Sequence, residues 1–449
     1  MNSLDGIYFV AVELSDEFMA ITPTEAPGRE AISEIQPEAV PSALDDKRLR
    51  RKKKSPANFR LNKQLVRAES IDEVLDIIGG NLHDFNIVNI GTALYRLALV
   101  GGGLSPLERD ALRSDIRFGD LIIEIVETLQ GDSVSESLQK VVLAPKELSN
   151  IIWAATKLGL SDSRLFEAVA RHVVQHISHF DSVNLSLTLW GFAKMNQNAP
   201  AMFQASRQRI VELLPEFEPH RICNTVWAYA KTGNTDLELF RLIADESLRK
   251  LHRFNHSNES MLLYSYALGH VHAPSLFKRA MAQQLPGIQS GEVQDPRSLS
   301  NLVWAISELK LQNEFRDLYD HVAKSAIENI HRYSLTHMAT IASAYCKADI
   351  RSDDLFRLMV LECNNRPVNE PSLRTDLVIL HESVQGFGLD SGIVGDTIEK
   401  VNQENSLIEA KERKAQLRSL VVDLVNTSFI AAGVLLVAAF LRMYFASSL

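Results

Sequence analysis

Apolar positions in the chain recur at helical spacing within short segments, and these segments are separated by clusters of Gly, Asn, Asp and Pro. Leu148–Gly159 reads L-S-N-I-I-W-A-A-T-K-L-G, with large aliphatics on one arc and small or polar residues beside the tryptophan. A short connection follows each such segment, as at Asn196–Pro200 and Gly233–Asp236. A second amphipathic stretch then begins, as over Arg164–Ile177. Neither helix hides its apolar face alone, so stacking of neighbouring pairs has to supply the core. The pattern predicts an all-α fold, an α-solenoid of two-helix units.

The register is fixed by two columns. Trp153, Trp190 and Trp227 stand 37 residues apart; Tyr264 follows after 37, Trp304 after 40, Ser343 after 39 and Leu380 after 37. Phe166, Phe203, Phe240, Phe277, Phe315 and Phe356 keep step with gaps of 37, 37, 37, 38 and 41. Upstream, Tyr95 heads Y-R-L-A-L-V-G, which parallels W-A-Y-A-K-T-G at Trp227–Gly233. About eight repeats near 37 residues are therefore expected over residues 83–400. The unit around Tyr95 carries extra residues through Gly102, Gly103 and Glu108–Arg117, which predicts an additional helix or an excursion there.

Charge changes the picture at the chain's beginning. Residues 1–46 hold ten acids against Arg29 alone and are interrupted by Pro23, Pro27, Pro37 and Pro41, a composition that predicts disorder. Residues 47–67 hold ten bases and no acid, and residues 47–82 read as a basic linker and N-terminal cap. A solvated tether, a nuclear signal, an internal targeting signal and phosphate contact all suit such a run. The whole chain is nevertheless acidic, at −9. Cys223, Cys346 and Cys363 lie far apart with no C-x-x-C pair, which argues against a disulfide framework or a zinc site.

Near the end, residues 424–446 are mostly apolar and long enough, as a helix, to cross a hydrocarbon core. Lys411, Arg413, Lys414 and Arg418 precede them in a juxtamembrane segment, 401–423. The expectation is a C-terminal transmembrane anchor; the alternative is a buried hydrophobic helix that caps the array.

The segments S-N-I-I-W-A-A-T-K-L-G (149–159), C-N-T-V-W-A-Y-A-K-T-G (223–233) and S-N-L-V-W-A-I-S-E-L-K (300–310) resemble heptatricopeptide and octotricopeptide repeats. Related helical repeats occur in FAST-kinase-like proteins and in kinetoplastid RNA-editing-complex subunits. The resemblance spans roughly residues 83–390 and implies binding of organellar RNA, in mitochondria or chloroplasts, during processing, stability control or ribosome assembly. Many relatives end in a nuclease-like RAP domain. None is recognisable here, and the terminal anchor is no part of that pattern.

Stacked units turn equivalent positions into columns. Lys157, Lys194, Lys231 and Lys347 share one position, interrupted by Glu308, Leu268 and Val384, and Asn150, Asn224, Asn301 and Thr340 share another. Lysines beside amides at a regular step suit a single-stranded RNA backbone with its bases presented for hydrogen bonding. The plainer roles are solvated helix ends for the lysines and packing between helices for the tryptophans, with the phenylalanine column in the core. His172 and His176 lie four apart with His179 close by, a spacing able to hold a metal. No H-E-x-x-H accompanies them, and a surface or satisfied histidine pair is the expectation. No nucleophile elbow, paired-carboxylate motif, phosphate loop or kinase signature is present. The sequence therefore predicts a binding protein, neither an enzyme nor dependent on a cofactor or metal. The leading partner is single-stranded RNA in a mitochondrion or other organelle, with membrane attachment through the C-terminal helix. A membrane-anchored protein–protein scaffold is the rival reading.

Overall fold

The computed structural model describes residues 56–130, 143–365, 374–392, 394–399 and 402. The acidic N-terminus 1–46, the basic run 47–54 and the apolar stretch 424–446 lie outside them, as does the juxtamembrane segment 401–423 apart from Asn402. Among the described residues every regular element is helical, and no helix is long and apolar enough to cross a membrane. The chain divides into two compact units at Val322/Ala323.

The first unit opens with α1 (Pro56–Arg67) and α2 (Ile71–Asn81), followed by α3 (Ile87–Val100), α4 (Pro106–Ser114) and α5 (Ile116–Gln130). It continues in pairs: α6 (Pro145–Lys157) with α7 (Ser163–His176), α8 (Ser182–Lys194) with α9 (Pro200–Leu213), and α10 (Pro219–Lys231) with α11 (Leu237–Lys250). Next come α12 (His256–Leu268) with α13 (Pro274–Ser290), then α14 (Pro296–Glu308) and α15 (Arg316–Glu328), the last of which contains the division. The first helices α1, α3, α6, α8, α10, α12 and α14 pack side by side in that order, and α2, α5, α7, α9, α11 and α13 form a second layer. This is the two-layer arrangement of an α-solenoid. The extra residues after Tyr95 form α4, as expected.

The second unit contains α16 (Leu335–Ala348), α17 (Asp353–Asn364) and α18 (Arg374–Gly386). In it α16 packs on both α17 and α18. Phe356 on α17 is fully buried and lies edge-on to Tyr345 at 6.0 Å.

The stretch 47–82, expected as a basic linker and N-terminal cap, is described from Pro56 onward. From Pro56 it is helical, because Leu61 and Leu65 fall four apart on one face and are buried. Asn58 ties this helix to α3: its Nδ2 donates to Asn89 Oδ1 at 3.1 Å, and Asn89 Nδ2 donates back to the Asn58 carbonyl at 2.9 Å. The Arg96 Nε–H caps the helix end through the Ala68 carbonyl at 2.8 Å.

Every Phe of the second column is buried, and the helix boundaries have local causes. Asp162, Asp181, Asp236, Asn255 and Asp295 cap helix N-termini with side-chain oxygens that accept backbone N–H bonds. Proline opens α6, α9, α10, α13 and α14, where no intrahelical donor is needed. Two further columns emerge. Each first helix from α6 to α16 ends six residues after its Trp-equivalent on a left-handed residue: Gly159, Asn196, Gly233, His270, Lys310 and Asp349. Several second helices end in a 3-10 turn closed by a buried aromatic: Phe85, Phe180, Phe217, Phe254 and Tyr333.

Candidate nucleic-acid interface

Three of the singled-out lysines share one setting. Lys157, Lys194 and Lys231 are the last residues of α6, α8 and α10, and these three helices pack in direct succession. Each is half-buried, its stem laid along the protein surface. Burial depresses the Lys231 pKa, and the positive charge of Lys194 on the neighbouring helix depresses it further. Lys194 and Lys231 are therefore close enough to feel one another. The Lys157 ammonium also lies 6.0 Å from the centre of the Trp153 ring. A cation at this place opposes the partial negative charge of a helix C-terminus as well. The column stops at α12, where Leu268 stands in its place, and reverses at α14 with Glu308. Lys347 lies in the last turn of α16 in the second unit, one residue before its end, and is exposed.

The layer that carries the column is basic although the chain is acidic. From α3 to α14 the first helices bring Arg96, Lys146, Lys157, Lys194, Arg221, Lys231 and Arg297 against Glu147, Glu259 and Glu308. At the opposite end of α10, His220 has its pKa pushed down to about 4, by burial first and then by the charge of Arg221. The segregation of charge onto one layer is what the net charge of the sequence conceals.

The asparagine column needs correction. Asn150 is half-buried, but Asn224 and Asn301 are 4% and 1% exposed, and their Oδ1 atoms have no hydrogen-bond partner. They lie within the packing of the first-helix layer, where α10 and α14 are buried along nearly their whole length. Neither amide is presented to a ligand. The aromatic column is likewise internal: Trp190, Trp227, Tyr264 and Trp304 are buried. Tyr95 and Trp153 meet at a tilt, 4.9 Å apart, as do Tyr264 and Trp304 at 4.7 Å, so these rings join successive first helices, with Trp153 itself half-buried.

Other chemistry-bearing residues have structural settings. His172 is buried with its ring 4.6 Å from His176, and His176 is 6.2 Å from His179. The His172 Nε2 has no partner, so the expectation of a satisfied pair does not hold for that atom. Burial lowers the His172 pKa, and His176 lowers it further. Among the described residues no three His, Cys, Asp or Glu side chains are arranged to hold a metal ion. No disulfide joins the three cysteines; Cys223 and Cys363 are buried and Cys346 is exposed. A polar cleft of about 400 Å³ opens beside the N-termini of α12 and α14, lined by Asn255, Ser257, Gln294 and Arg297 among others. It lies where the repeat lengthens from 37 to 40 residues and the 3-10 turn gives way to a longer α13 ending on left-handed Gly291.

The described residues form helices only, with a layer of stacked first helices that carries more basic than acidic side chains. Residues 124–279 match the family described as RNA-editing substrate-binding complex 6 protein. The matched stretch runs from α5 to α13, includes Lys157, Lys194 and Lys231, and is similar to an RNA-editing-complex protein. No curated protein matches the chain.

Proposed function

We propose that the chain is an RNA-binding component of a mitochondrial RNA-editing or RNA-processing complex, acting by binding and not by catalysis. The observation that carries this reading is the column Lys157–Lys194–Lys231, set at one helical position on three successive helices of a basic layer. A single-stranded backbone laid across those helix ends meets a cation at every step, which suits recognition of phosphates without base stacking on the buried tryptophans. The match over residues 124–279 to an RNA-editing substrate-binding complex protein supports the editing assignment and, with it, the mitochondrial one. The apolar segment 424–446 supports attachment to a membrane. The net charge of −9 favours a second reading, a membrane-anchored protein–protein scaffold within such a complex.

The test is binding of the full chain to a single-stranded RNA oligonucleotide over a salt series, beside a variant with Lys157, Lys194 and Lys231 all changed to Glu. Binding that weakens with salt and is lost in the triple variant is the expected result. No binding at low salt by the folded wild-type chain would sink the RNA reading and leave the scaffold.

A further inference from the structure

The outward side of α1 has a composition that packing does not explain. Successive residues in a helix are turned by about 100°, so Phe59, Lys63 and Arg67 fall within about 80° of one another, with Arg60 adjoining. All four are exposed, and Phe59 keeps 59% of its surface in solvent. The opposite side, Leu61 and Leu65, is buried, and Asn58 and Arg96 fasten the helix to the rest of the unit. The stripe is thus held outward. No acid lies on α1, and no ion pair joins Lys63 or Arg67 to a carboxylate among the described residues. An exposed phenylalanine beside bases that have no acidic partner among the described residues is a feature without a folding role.

Its place in the layer gives it a direction. Arg67 is the last residue of α1, as Lys157, Lys194 and Lys231 are of α6, α8 and α10, and α1, α3 and α6 pack in succession. Two interhelix spacings separate α1 from α6, on the order of 20 Å, a span of a few nucleotides. We infer that the Phe59–Lys63–Arg67 stripe is a second contact for single-stranded RNA, with Phe59 stacking on a base and the two cations meeting flanking phosphates. This rests on the RNA reading of the lysine column and extends it to the first helix of the unit. A polyanion with exposed aromatic bases satisfies both the charge and the ring. An anionic membrane satisfies only the charge, because the leucines that would enter lipid are used inside the protein.

The full chain is titrated with fluorescent oligouridylate, and separately with phosphatidylserine vesicles, using wild type, Phe59→Ala, Lys63→Glu/Arg67→Glu and the Lys157/Lys194/Lys231 triple variant. Stacking of one base makes Phe59→Ala bind RNA about 5- to 100-fold more weakly, with an unchanged salt slope. Loss of two phosphate contacts makes the double variant's log–log salt slope shallower by about 1.4. An oligonucleotide bearing 5-bromouridine is expected to crosslink at Phe59. The inference is overturned if both α1 variants bind RNA as wild type does while the triple variant fails, a result that leaves the lysine column standing. It is overturned equally if the α1 changes abolish vesicle binding and spare RNA. Absence of RNA binding by the wild type would end both readings at once. The three changed positions of α1 being exposed, circular dichroism of both α1 variants is expected to match wild type.

Discussion

The hydroxyl of Tyr229 on α10 donates a 2.6 Å hydrogen bond to the carbonyl of Phe203 on α9. Their rings meet edge-on, 5.0 Å apart. Tyr266 repeats the bond to Phe240 at 2.6 Å, 37 residues further on. A first helix is thereby fastened to the second helix of the preceding repeat, so the contact joins repeats as well as helices. Burial of the phenol pushes the Tyr229 pKa well up, which keeps the donor protonated. Tyr229→Phe removes the hydroxyl and keeps the ring, so it is expected to cost about 1 kcal/mol. Tyr229→Ala also empties the edge-on contact and is expected to cost about 3–5 kcal/mol. Urea unfolding of the two variants checks the ordering, and equal losses would contradict it.

The left-handed column gives a cleaner comparison. Gly233 has φ +69° and nothing within 4 Å of where a Cβ would stand, whereas Lys310 holds φ 58° in the equivalent place. Each position follows a first helix whose final backbone bond reaches back to the last turn, as Asn234 N–H does to Tyr229 and Leu311 N–H to Ile306. Gly233→Ala therefore changes backbone strain alone and is expected to lose roughly 1 kcal/mol. Lys310→Gly relieves the same strain and is expected to gain a similar amount, less the entropy of the freer unfolded glycine. Thermal midpoints moving in opposite directions check the pair.

The helix pairs and their register were legible because they depend on side-chain type at fixed spacing, which a packed core enforces at every repeat. Trp190, Trp227, Phe166 and Phe203 are buried where their columns put them. Features set by the backbone were harder to see. Asn196, His270, Lys310 and Asp349 do in the backbone what Gly159 and Gly233 do, and no residue type links them. The aromatic column Phe180–Phe217–Phe254 was present at the same 37-residue step and could have been found by the same count. Asn224 and Asn301 misled because a helical projection shows which residues share a side, not how closely the next helix approaches. Leu61 and Leu65 were masked by the ten bases around them, since charge density outweighed a two-residue apolar signal.

Close approach between helices is measurable at Gly191. A Cβ added there would collide with Ile152 Cγ2 on α6 and stand 3.3 Å from Thr156 Oγ1. The glycine sits next to Trp190 in α8, where small residues let neighbouring first helices meet. Gly191→Ala is expected to destabilise by about 1–3 kcal/mol through overpacking, despite its better helix propensity. Ile152→Ala makes room for that methyl at the cost of its own cavity. The double variant is therefore expected to lose less than the two single losses combined. A double-mutant cycle on urea midpoints checks this, and strict additivity would mean the collision is relieved elsewhere.

Glu259 stands where the other repeats have Leu148, Leu185, Ile222 and Leu299. It is 0% exposed, and neither carboxylate oxygen has a hydrogen-bond partner. Gln284 on α13 is also fully buried with an unpartnered Oε1, its Nε2 donating instead to the His256 carbonyl at 3.1 Å. Cys223 on α10 is the titratable group that feels Glu259, and His256 lies one turn earlier on α12 itself. The charged residues of α13, Lys278 and Arg279, are exposed, and those of α14, Arg297 and Glu308, sit near its two ends. With no cation to offset it, burial pushes the Glu259 pKa up to about 8. A carboxyl that holds its proton more tightly when folded opposes folding once the unfolded chain ionises. The penalty begins above pH 4.5, the ordinary value, reaches roughly 3 kcal/mol at pH 7 and levels off above pH 8. Stability is therefore expected to fall from pH 5 to 8 in the wild type. Glu259→Gln removes that slope while keeping a polar group, and Glu259→Leu removes it and also raises the urea midpoint at pH 7. A Glu259→Gln variant whose stability still falls as the wild type's does would place the titration in another group.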